Sequence, residues 1–323
     1  MVKRVGSALL VAAVVVACRP DLEAPLSLLG SPRVLAVSAD PAEALPGARV
    51  TLRALVADRS GELEHAPITW AFCTDRKPLA ELGPVSPRCV ASNVDPAVLA
   101  PIDVGPPVTG AIPIDACRRF GPDVPPSAPG EPAGRPVDAD VTGGFFQPVR
   151  LVVSASATEL IAVERTRVTC GLGASTQDQL VEFRQRYRPN VNPALDGVAR
   201  GRGSAFEALR ADVGAEPNLV AAGERLVLRA SWAHCSAPGC TGREPYVVFD
   251  RDTLIDKVET MRVSWFATDG AFDEDRTGSR EGEPDTSDNT WTSPAKPGIT
   301  HLFVVLRDDR GGVGWTRFQI EVR

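Results

Sequence analysis

Two stretches of the chain share one pattern, a glycine followed by residues that alternate between apolar and polar side chains. The first stretch covers residues 45–56 and the second covers residues 221–232, in which every even-numbered residue from 226 to 232 is apolar. A strand-like segment with a tryptophan follows each stretch, at Trp70 and at Trp265. Because successive side chains of a strand point to opposite faces, this alternation predicts half-buried strands whose apolar face is covered by a second layer.

The end of the chain predicts a β-hairpin. Residues 301–306 and 314–322 are rich in β-branched and aromatic side chains, and the turn sequence Asp308-Asp309-Arg310-Gly311-Gly312 separates them. Residues 289–294 add an edge strand before the hairpin. With 28 glycines, 29 prolines and 2 methionines, the composition favours short strands and many turns over long helices.

From Asn190 to Arg323 these features resemble the immunoglobulin-like repeats of the polycystic-kidney-disease type that occur in bacterial surface proteins. The shared features are a glycine before a strand, a strand with tryptophan, an acidic loop with glycine, and a hairpin rich in aspartate and glycine. A fainter resemblance covers Pro32 to Cys170. The resemblance implies an all-β fold with two immunoglobulin-like β-sandwich domains in tandem, and such a fold specifies no function by itself.

The chain of 323 residues is long enough for two domains of ordinary size. We predict a signal peptide at 1–17, a tether at 18–31, a first domain at 32–174, a helical linker at 175–189 and a second domain at 190–323. The linker is predicted to be a short helix because Leu180, Phe183 and Tyr187 share one helical face. The segment of about 101–137 is rich in proline, which disfavours both helices and central strands. We therefore predict that it is a long extended loop inserted in the first domain.

The first 18 residues resemble a bacterial lipoprotein signal. Lys3 and Arg4 precede an uncharged apolar run at 5–17, which is too short for a retained membrane helix, and the lipobox Val15-Val16-Ala17-Cys18 ends it. The resemblance implies that Cys18 becomes the first mature residue and carries a diacylglyceryl thioether and a further acyl chain such as palmitate. Arg19, rather than aspartate, favours the outer membrane by the same resemblance. An ordinary cleaved signal that happens to precede a cysteine is the alternative.

Of the 7 cysteines, those other than Cys18 form an even set, which predicts disulfide bonds in an exported protein. Only Cys235–Cys240 can be argued locally, because Ala237-Pro238-Gly239-Cys240 fits a type II turn that brings the two sulfurs together. Cys73–Cys89 is preferred for proximity, and Cys117–Cys170 because it would tie a long loop to the end of a strand. A Cys73–Cys170 bridge between sheets is a competing pairing.

Patterns typical of catalysis are scarce. His65, His234 and His301 are the only histidines, and the chain has neither a Gly-x-Ser-x-Gly elbow nor a His-Glu-x-x-His zinc helix. His234 with Cys235 and Cys240 lacks a fourth ligand for structural zinc, so a disulfide is the preferred interpretation. We therefore expect no enzymatic activity.

One acidic loop is a candidate calcium site. Asp269, Asp273 and Asp275 offer carboxylates at alternating positions, and Gly278 is the sixth residue counted from Asp273, as in a calcium loop. The twelfth position is Pro284 rather than glutamate, which favours a solvated loop. Calcium binding by the three aspartates is kept as a hypothesis, and no other cofactor is predicted.

The main functional expectation is a lipid-anchored, extracytoplasmic protein of the bacterial cell envelope that binds a protein or glycan partner through its sandwich loops. A structural spacer or assembly subunit of an envelope complex is the alternative. An exported hydrolase has the least support, because the sequence places no pair of carboxylates opposite each other. The net charge of −6 gives no support for nucleic-acid binding.

Overall fold

The computed structural model describes residues 25–77, 83, 85–123, 140–155, 159–173, 175–202, 205–211, 216–236, 239–250 and 252–323. Strands dominate these residues, as the predicted all-β class requires. The strands are β1 Arg33–Asp40, β2 Glu43–Ala44, β3 Arg49–Asp58, β4 Gly61–Glu62, β5 Ile68–Cys73, β6 Leu99–Val104, β7 Val108–Ala111, β8 Phe145–Val153, β9 Leu160–Val168, β10 Gly197–Arg202, β11 Ala205–Ala208, β12 Asn218–Val220, β13 Arg225–Ser231, β14 Pro245–Asp250, β15 Thr253–Val258, β16 Met261–Ala267, β17 Ala271–Phe272, β18 Arg276–Ser279, β19 Thr286–Thr292, β20 Gly298–Arg307 and β21 Val313–Val322. The α-helices are α1 Pro87–Val90, α2 Ala116–Arg119 and α3 Gln177–Arg186, and Pro96–Val98 forms a 3-10 turn.

Two sheets pack face to face in the first half of the chain. We call this pair of sheets the N-terminal sandwich (residues 33–168). One sheet has the order β1-β3-β4, with β7 also paired to β3, and the other has the order β2-β9-β8-β5-β6. Leu52 and Trp70 lie in the shared apolar core, and both have 0% relative exposure. Burial of such side chains contributes about 1.5–3 kcal/mol each, which stabilises the two-layer arrangement.

The predicted extended loop is wrong for its first part, because residues 99–111 form two strands. Part of the proline-rich segment forms β6, which pairs with β5, and β7, which pairs with β3. Pro101 is tolerated within β6 because this strand lies at the edge of its sheet, where one side of the backbone needs no ladder hydrogen bonds. Helix α2 follows, and residues 124–137 of the predicted loop lie outside the described residues.

The second half of the chain forms the C-terminal sandwich (residues 197–322). Its sheets have the orders β11-β10-β13-β19-β17 and β12-β21-β20-β16-β18. Trp265 and Trp291 are fully buried in its core. The predicted hairpin is present as β20 and β21, paired from Gly298↔Val322 to Arg307↔Val313. Strands β14 and β15 form a separate two-stranded sheet.

A third apolar cluster joins the two sandwiches. Leu35 of β1 and Leu55 of β3 belong to one cluster with Phe303 and Val305 of β20. The even-numbered neighbours of these β20 residues, such as Val304, belong to the core of the C-terminal sandwich. Strand β20 is therefore buried on both faces, which explains its continuous apolar sequence.

The linker helix α3 begins and ends close to its predicted limits. The Thr176 hydroxyl accepts from the backbone nitrogen of Gln179, and the Gln179 side chain accepts from the backbone nitrogen of Thr176. This capping box stabilises the first turn. The Phe183 and Tyr187 rings, predicted to share a face, have centroids 4.6 Å apart. No helix in the described part of the chain has the length and apolarity needed to cross a bilayer.

The described part of the predicted tether, residues 25–31, packs against the C-terminal sandwich. The backbone nitrogen of Leu29 donates to the carbonyl of Ala267 at 2.9 Å, and the nitrogen of Ala267 donates to the carbonyl of Ser27 at 2.8 Å. Leu29 is 1% exposed and belongs to the cluster between the sandwiches. These contacts fix residues 27–29 at the end of β16, within the segment that the sequence predicts to be a tether.

Candidate functional site

A buried arginine ties the turn between β20 and β21 to the linker. The side chain of Arg310 is fully buried, and its Nε atom donates to Oε1 of Glu259 at 2.7 Å. Its Nη2 atom donates to Oε2 of Glu244 at 2.8 Å, and Nη1 donates to the backbone carbonyl of Arg188 at 2.9 Å. One guanidinium group therefore connects three separate parts of the chain.

Asp308 shapes the same turn. Its Oδ1 atom accepts from the backbone nitrogens of Arg310 at 2.9 Å and Gly312 at 2.7 Å. The side-chain nitrogen of Asn190, which directly follows the linker, lies 3.3 Å from both carboxylate oxygens. A Cβ atom on Gly312 would overlap Oδ2 of Asp308, so the close approach requires glycine at this position.

The carboxylates around Arg310 have raised pKa values, and burial is the main cause. Burial, followed by the neighbouring Asp308 carboxylate, raises the pKa of Glu259 to about 8. Burial also raises the pKa values of Glu244 and Asp308, while Arg310 opposes the rise. Burial and Asp308 thus oppose ionisation of Glu259, whereas the contact with Arg310 favours it.

A second buried ion pair lies where the linker crosses the N-terminal sandwich. The Nε atom of Arg167 lies 3.2 Å from Oε2 of Glu43, and both side chains are buried. The Tyr187 hydroxyl donates to Glu43, and the backbone nitrogen of Asn190 donates to it at 2.9 Å. Burial raises the pKa of Tyr187, so the phenol stays protonated and remains a donor. These contacts fix the linker to β2 and β9.

Strands β14 and β15 are held between the linker helix and a loop of the N-terminal sandwich. On one side, Arg186 of α3 forms an ion pair of 2.6 Å with Asp256. On the other side, Nζ of Lys257 lies 3.4 Å from the carbonyl of Val141. Gly143 has a positive φ of 72°, and a Cβ there would touch Val248 at 3.4 Å. The hairpin of the C-terminal half thus contacts both preceding parts of the chain.

An apolar cavity, which we call the junction cleft, opens where these three parts meet. Its volume is about 220 Å³. The lining is aromatic and aliphatic for the most part and comprises Pro122, Thr142, Gly143, Phe145, Leu172, Gly173, Phe183, Tyr187, Val247, Val248 and Phe249. The two hydroxyl groups of the lining are already engaged, since Tyr187 donates to Glu43 and Thr142 donates to Asp140. The junction cleft is therefore suited to an apolar group.

The described cysteines form the preferred set of disulfides. Cys73 is bonded to Cys89, Cys117 to Cys170, and Cys235 to Cys240, with Cα–Cα distances of 5.9, 5.7 and 5.7 Å. The competing Cys73–Cys170 bridge is not formed. Cys18, the predicted lipidation site, lies outside the described residues.

The three aspartates of the predicted calcium loop do not converge. Asp269 caps the backbone nitrogen of Gly270 at 2.7 Å, and Asp273 forms an ion pair of 2.5 Å with Arg225. Asp275 accepts from the backbone nitrogen of Ser27 at 2.8 Å. Within the described ranges, no group of three or more acidic, histidine or cysteine side chains could hold a metal ion. The loop spacing resembles a calcium loop, but each carboxylate has a different partner.

The histidines lie apart from the junction cleft. His65 is exposed, and Nδ1 of His234 lies 3.2 Å from Asp285. His301 is half-buried at the contact between the sandwiches, where burial and Arg317 lower its pKa. The buried charges at Glu43 and Glu259 were not predicted, because their partners Arg167 and Arg310 lie far away in the sequence. The one local signal would have been an acidic residue among apolar neighbours.

No protein-family model matches the chain, and the comparison with curated proteins gives no match. Among solved structures, latent PorU from Porphyromonas gingivalis is similar at 11% identity, with 92% of this chain and 24% of that chain covered and a TM-score of 0.20. The native alpha-2-macroglobulin of Escherichia coli is similar at 11% identity, with coverages of 89% and 16% and a TM-score of 0.23. A DUF4785 family protein of Legionella pneumophila has 7% identity, coverages of 88% and 56%, and a TM-score of 0.19. The chain thus spans a quarter or less of the first two structures.

Proposed function

We propose that this protein is a lipid-anchored, extracytoplasmic binding module of the bacterial cell envelope, in which each sandwich is an immunoglobulin-like domain. Two observations support its location. The lipobox at Cys18 is typical of an anchored lipoprotein, and the three disulfides suit an oxidising compartment outside the cytoplasm. The outer membrane is the proposed site of anchoring, since Arg19 follows Cys18.

The junction cleft is the observation that carries the binding function. Aromatic and aliphatic side chains from three parts of the chain surround it, and its hydroxyl groups already have partners. A glycan would need free polar groups to replace its bonds to water, because a buried polar group without a partner costs about 1–3 kcal/mol. A protein partner that inserts an apolar side chain meets no such requirement. We therefore propose a protein rather than a glycan as the partner.

A structural spacer is the second candidate function. The apolar cluster between the sandwiches, which includes Leu35 and Phe303, favours this role because it would keep the two halves in one fixed arrangement. A spacer would be found in a complex of constant stoichiometry. It would not require the junction cleft.

Crosslinking in intact cells, followed by affinity capture, tests the binding function. The informative variant is Leu172→Asn, which places an amide in the partly exposed lining of the junction cleft. Leu45→Asn is a matched control, because Leu45 is 60% exposed and does not line the cleft. Denaturation midpoints of both variants must first be shown to equal that of the wild type.

We expect one dominant protein partner with the wild type and with Leu45→Asn, and a tenfold or greater loss of it with Leu172→Asn. A stoichiometric complex that Leu172→Asn does not affect would support the spacer instead. Capture of no partner by the wild type would contradict both functions.

A further inference from the structure

In the described sheets, strand β14 pairs with β15 alone and therefore has one free edge. The backbone nitrogen of Glu259 donates to the carbonyl of Glu244 at 3.0 Å, in the register of this hairpin. Because hydrogen-bonded and non-hydrogen-bonded pairs alternate along an antiparallel ladder, the even-numbered residues of β14 exchange hydrogen bonds with β15. The N–H and C=O groups of Val247 and Phe249 therefore point away from β15.

These outward groups of Val247 and Phe249 have no hydrogen-bond partner among the described residues. A row of unpaired N–H and C=O groups along a strand is a template for pairing with another strand. Alternate residues of an antiparallel strand lie about 6.8 Å apart. An extended peptide repeats its own N–H and C=O groups at the same distance, so it can bond to both residues at once.

The junction cleft lies along this free edge. Residues 247–249 are consecutive in β14, and all three line the cleft. Because successive side chains of a strand point to opposite faces, a cavity that borders three consecutive residues lies at the edge of the strand. Strand β15 occupies the other edge, so the unpaired backbone groups face the cleft.

The walls of the cleft are the layers that cover the two faces of β14. Asp256 lies opposite Val247, on the same face, and forms an ion pair of 2.6 Å with Arg186 of α3. On the other face, a Cβ atom on Gly143 would lie 3.4 Å from Val248. A strand added beside β14 would enter the same space between helix and loop. Its consecutive side chains should then be apolar, as in strands that are buried on both faces.

We propose that the partner binds the junction cleft as an added β-strand, in which a short extended segment of another polypeptide pairs with Val247 and Phe249. This inference rests on the proposed binding function and specifies how the partner is recognised. The hydroxyl groups of the cleft are engaged, whereas the main-chain groups of β14 have no described partner and lie in a row that an extended peptide matches. Main-chain hydrogen bonds would supply affinity, and the apolar walls would select the side chains.

Peptides selected on the purified protein from a phage library of random nine-residue sequences serve as the probe. We expect the selected peptides to share two or more consecutive β-branched or aromatic residues. Leu172→Asn should weaken their binding tenfold or more, and Leu45→Asn should leave it within twofold of the wild type. Each amide of one selected peptide is then methylated in turn. Methylation should weaken binding tenfold or more at alternate positions and less than twofold at those between, because only every second amide of an added strand faces β14.

Proline substitutions test the same edge from the side of the protein. Val247→Pro removes an outward N–H group and no hydrogen bond of the hairpin ladder. Leu254→Pro is the matched control, because Leu254 lies opposite Phe249 and its N–H group points to the far edge of β15. We expect a tenfold or greater loss of peptide affinity for Val247→Pro and a change within twofold for Leu254→Pro. If either variant does not fold, the methylated peptides decide the question.

Several results would overturn strand addition. Selection of no peptide, or equal sensitivity to methylation at every position, would do so. Amide exchange of Val247 and Phe249 as slow as that of Tyr246 and Val248 in the free protein would show that the edge is already paired. Dimerisation of the wild type that Val247→Pro abolishes would assign the edge to a second copy of the chain.

The proposed binding function can be judged separately. A selected peptide that depends on Leu172 but shows no alternation on methylation would reject only strand addition. Selected peptides that Leu172→Asn does not affect would reject the junction cleft as the binding site, and strand addition with it.

Discussion

The Nε atom of Arg310 lies 2.7 Å from Oε1 of Glu259, and both side chains have 0% exposure although 51 residues separate them. Glu244 and Asp308 surround the same guanidinium group. Removing charged groups from water opposes folding unless each keeps its partners. The stability of the protein should therefore depend on the protonation of these carboxylates and on the presence of Arg310.

Stability should fall as the pH rises from about 5 to 9. Burial raises the pKa of Glu259 from 4.5 to about 8 in the folded state. Its contribution is fully present below pH 4.5 and is lost as the pH rises through the folded pKa, at a cost of roughly a few kcal/mol. Glu259→Gln removes this titration and should flatten the dependence of the urea midpoint on pH. The exposed residue Glu281 provides the control Glu281→Gln, and a variant Glu259→Gln with the slope of the wild type would reject the assignment.

Arg310→Met should destabilise the protein by about 3–5 kcal/mol, because it leaves buried carboxylates without a cation. Arg229→Met is the matched control. The Arg229–Asp288 pair is partly exposed at 2.7 Å, and loss of such a pair costs about 0–1 kcal/mol. Urea denaturation at pH 7 measures both changes. An equal loss of unfolding free energy in the two variants would show that burial of Arg310 does not increase its contribution to stability.

The disulfides should contribute unequally. Cys117–Cys170 closes a loop with a sequence separation of 53, and Cys235–Cys240 closes one of 5. Loop-closure entropy predicts that paired serine substitutions cost about 4 kcal/mol for the first bond and about 2 kcal/mol for the second. Thermal unfolding of the two double variants checks this order. The reverse order would mean that native-state effects exceed the entropic contribution.

Phe303→Ala should weaken the contact between the sandwiches. Phe303 is 1% exposed and points from β20 toward the N-terminal sandwich, so the truncation should cost about 3–5 kcal/mol. We also expect the calorimetric transition to split, because each sandwich retains its own core. Ile299→Ala on the same strand is the control, since Ile299 is 49% exposed. A single sharp transition with an unchanged midpoint would contradict the role of this cluster.

The sequence predicted those features that form between residues close to each other in the chain. The hairpin of β20 and β21, the helix near Phe183 and the Cys235–Cys240 bond all follow from residues within one short segment. The burial of Leu226 and Leu228 follows from alternation along a single strand. These features form from short-range pairing or strand periodicity, both of which are visible in the sequence.

Features built from distant residues could not be predicted in this way. Glu43 pairs with Arg167 only because β2 lies beside β9, and nothing near either residue indicates that partner. Strand β6 was not predicted because proline usually argues against a strand. Proline is accepted in a strand at the edge of a sheet, and the edge position of β6 depends on the order of the whole sheet. Docking of Leu29 likewise depends on the end of β16, which comes much later in the chain.

We propose that acyl chains on Cys18 hold this β-sandwich protein at the bacterial envelope. The most direct measurement is metabolic labelling with palmitate, followed by membrane fractionation, for the wild type and for Cys18→Ala. We predict that the wild type is labelled and sediments with membranes, whereas Cys18→Ala is unlabelled and loses its membrane association. A wild type without label, or a Cys18→Ala variant that still sediments with membranes, would contradict the claim.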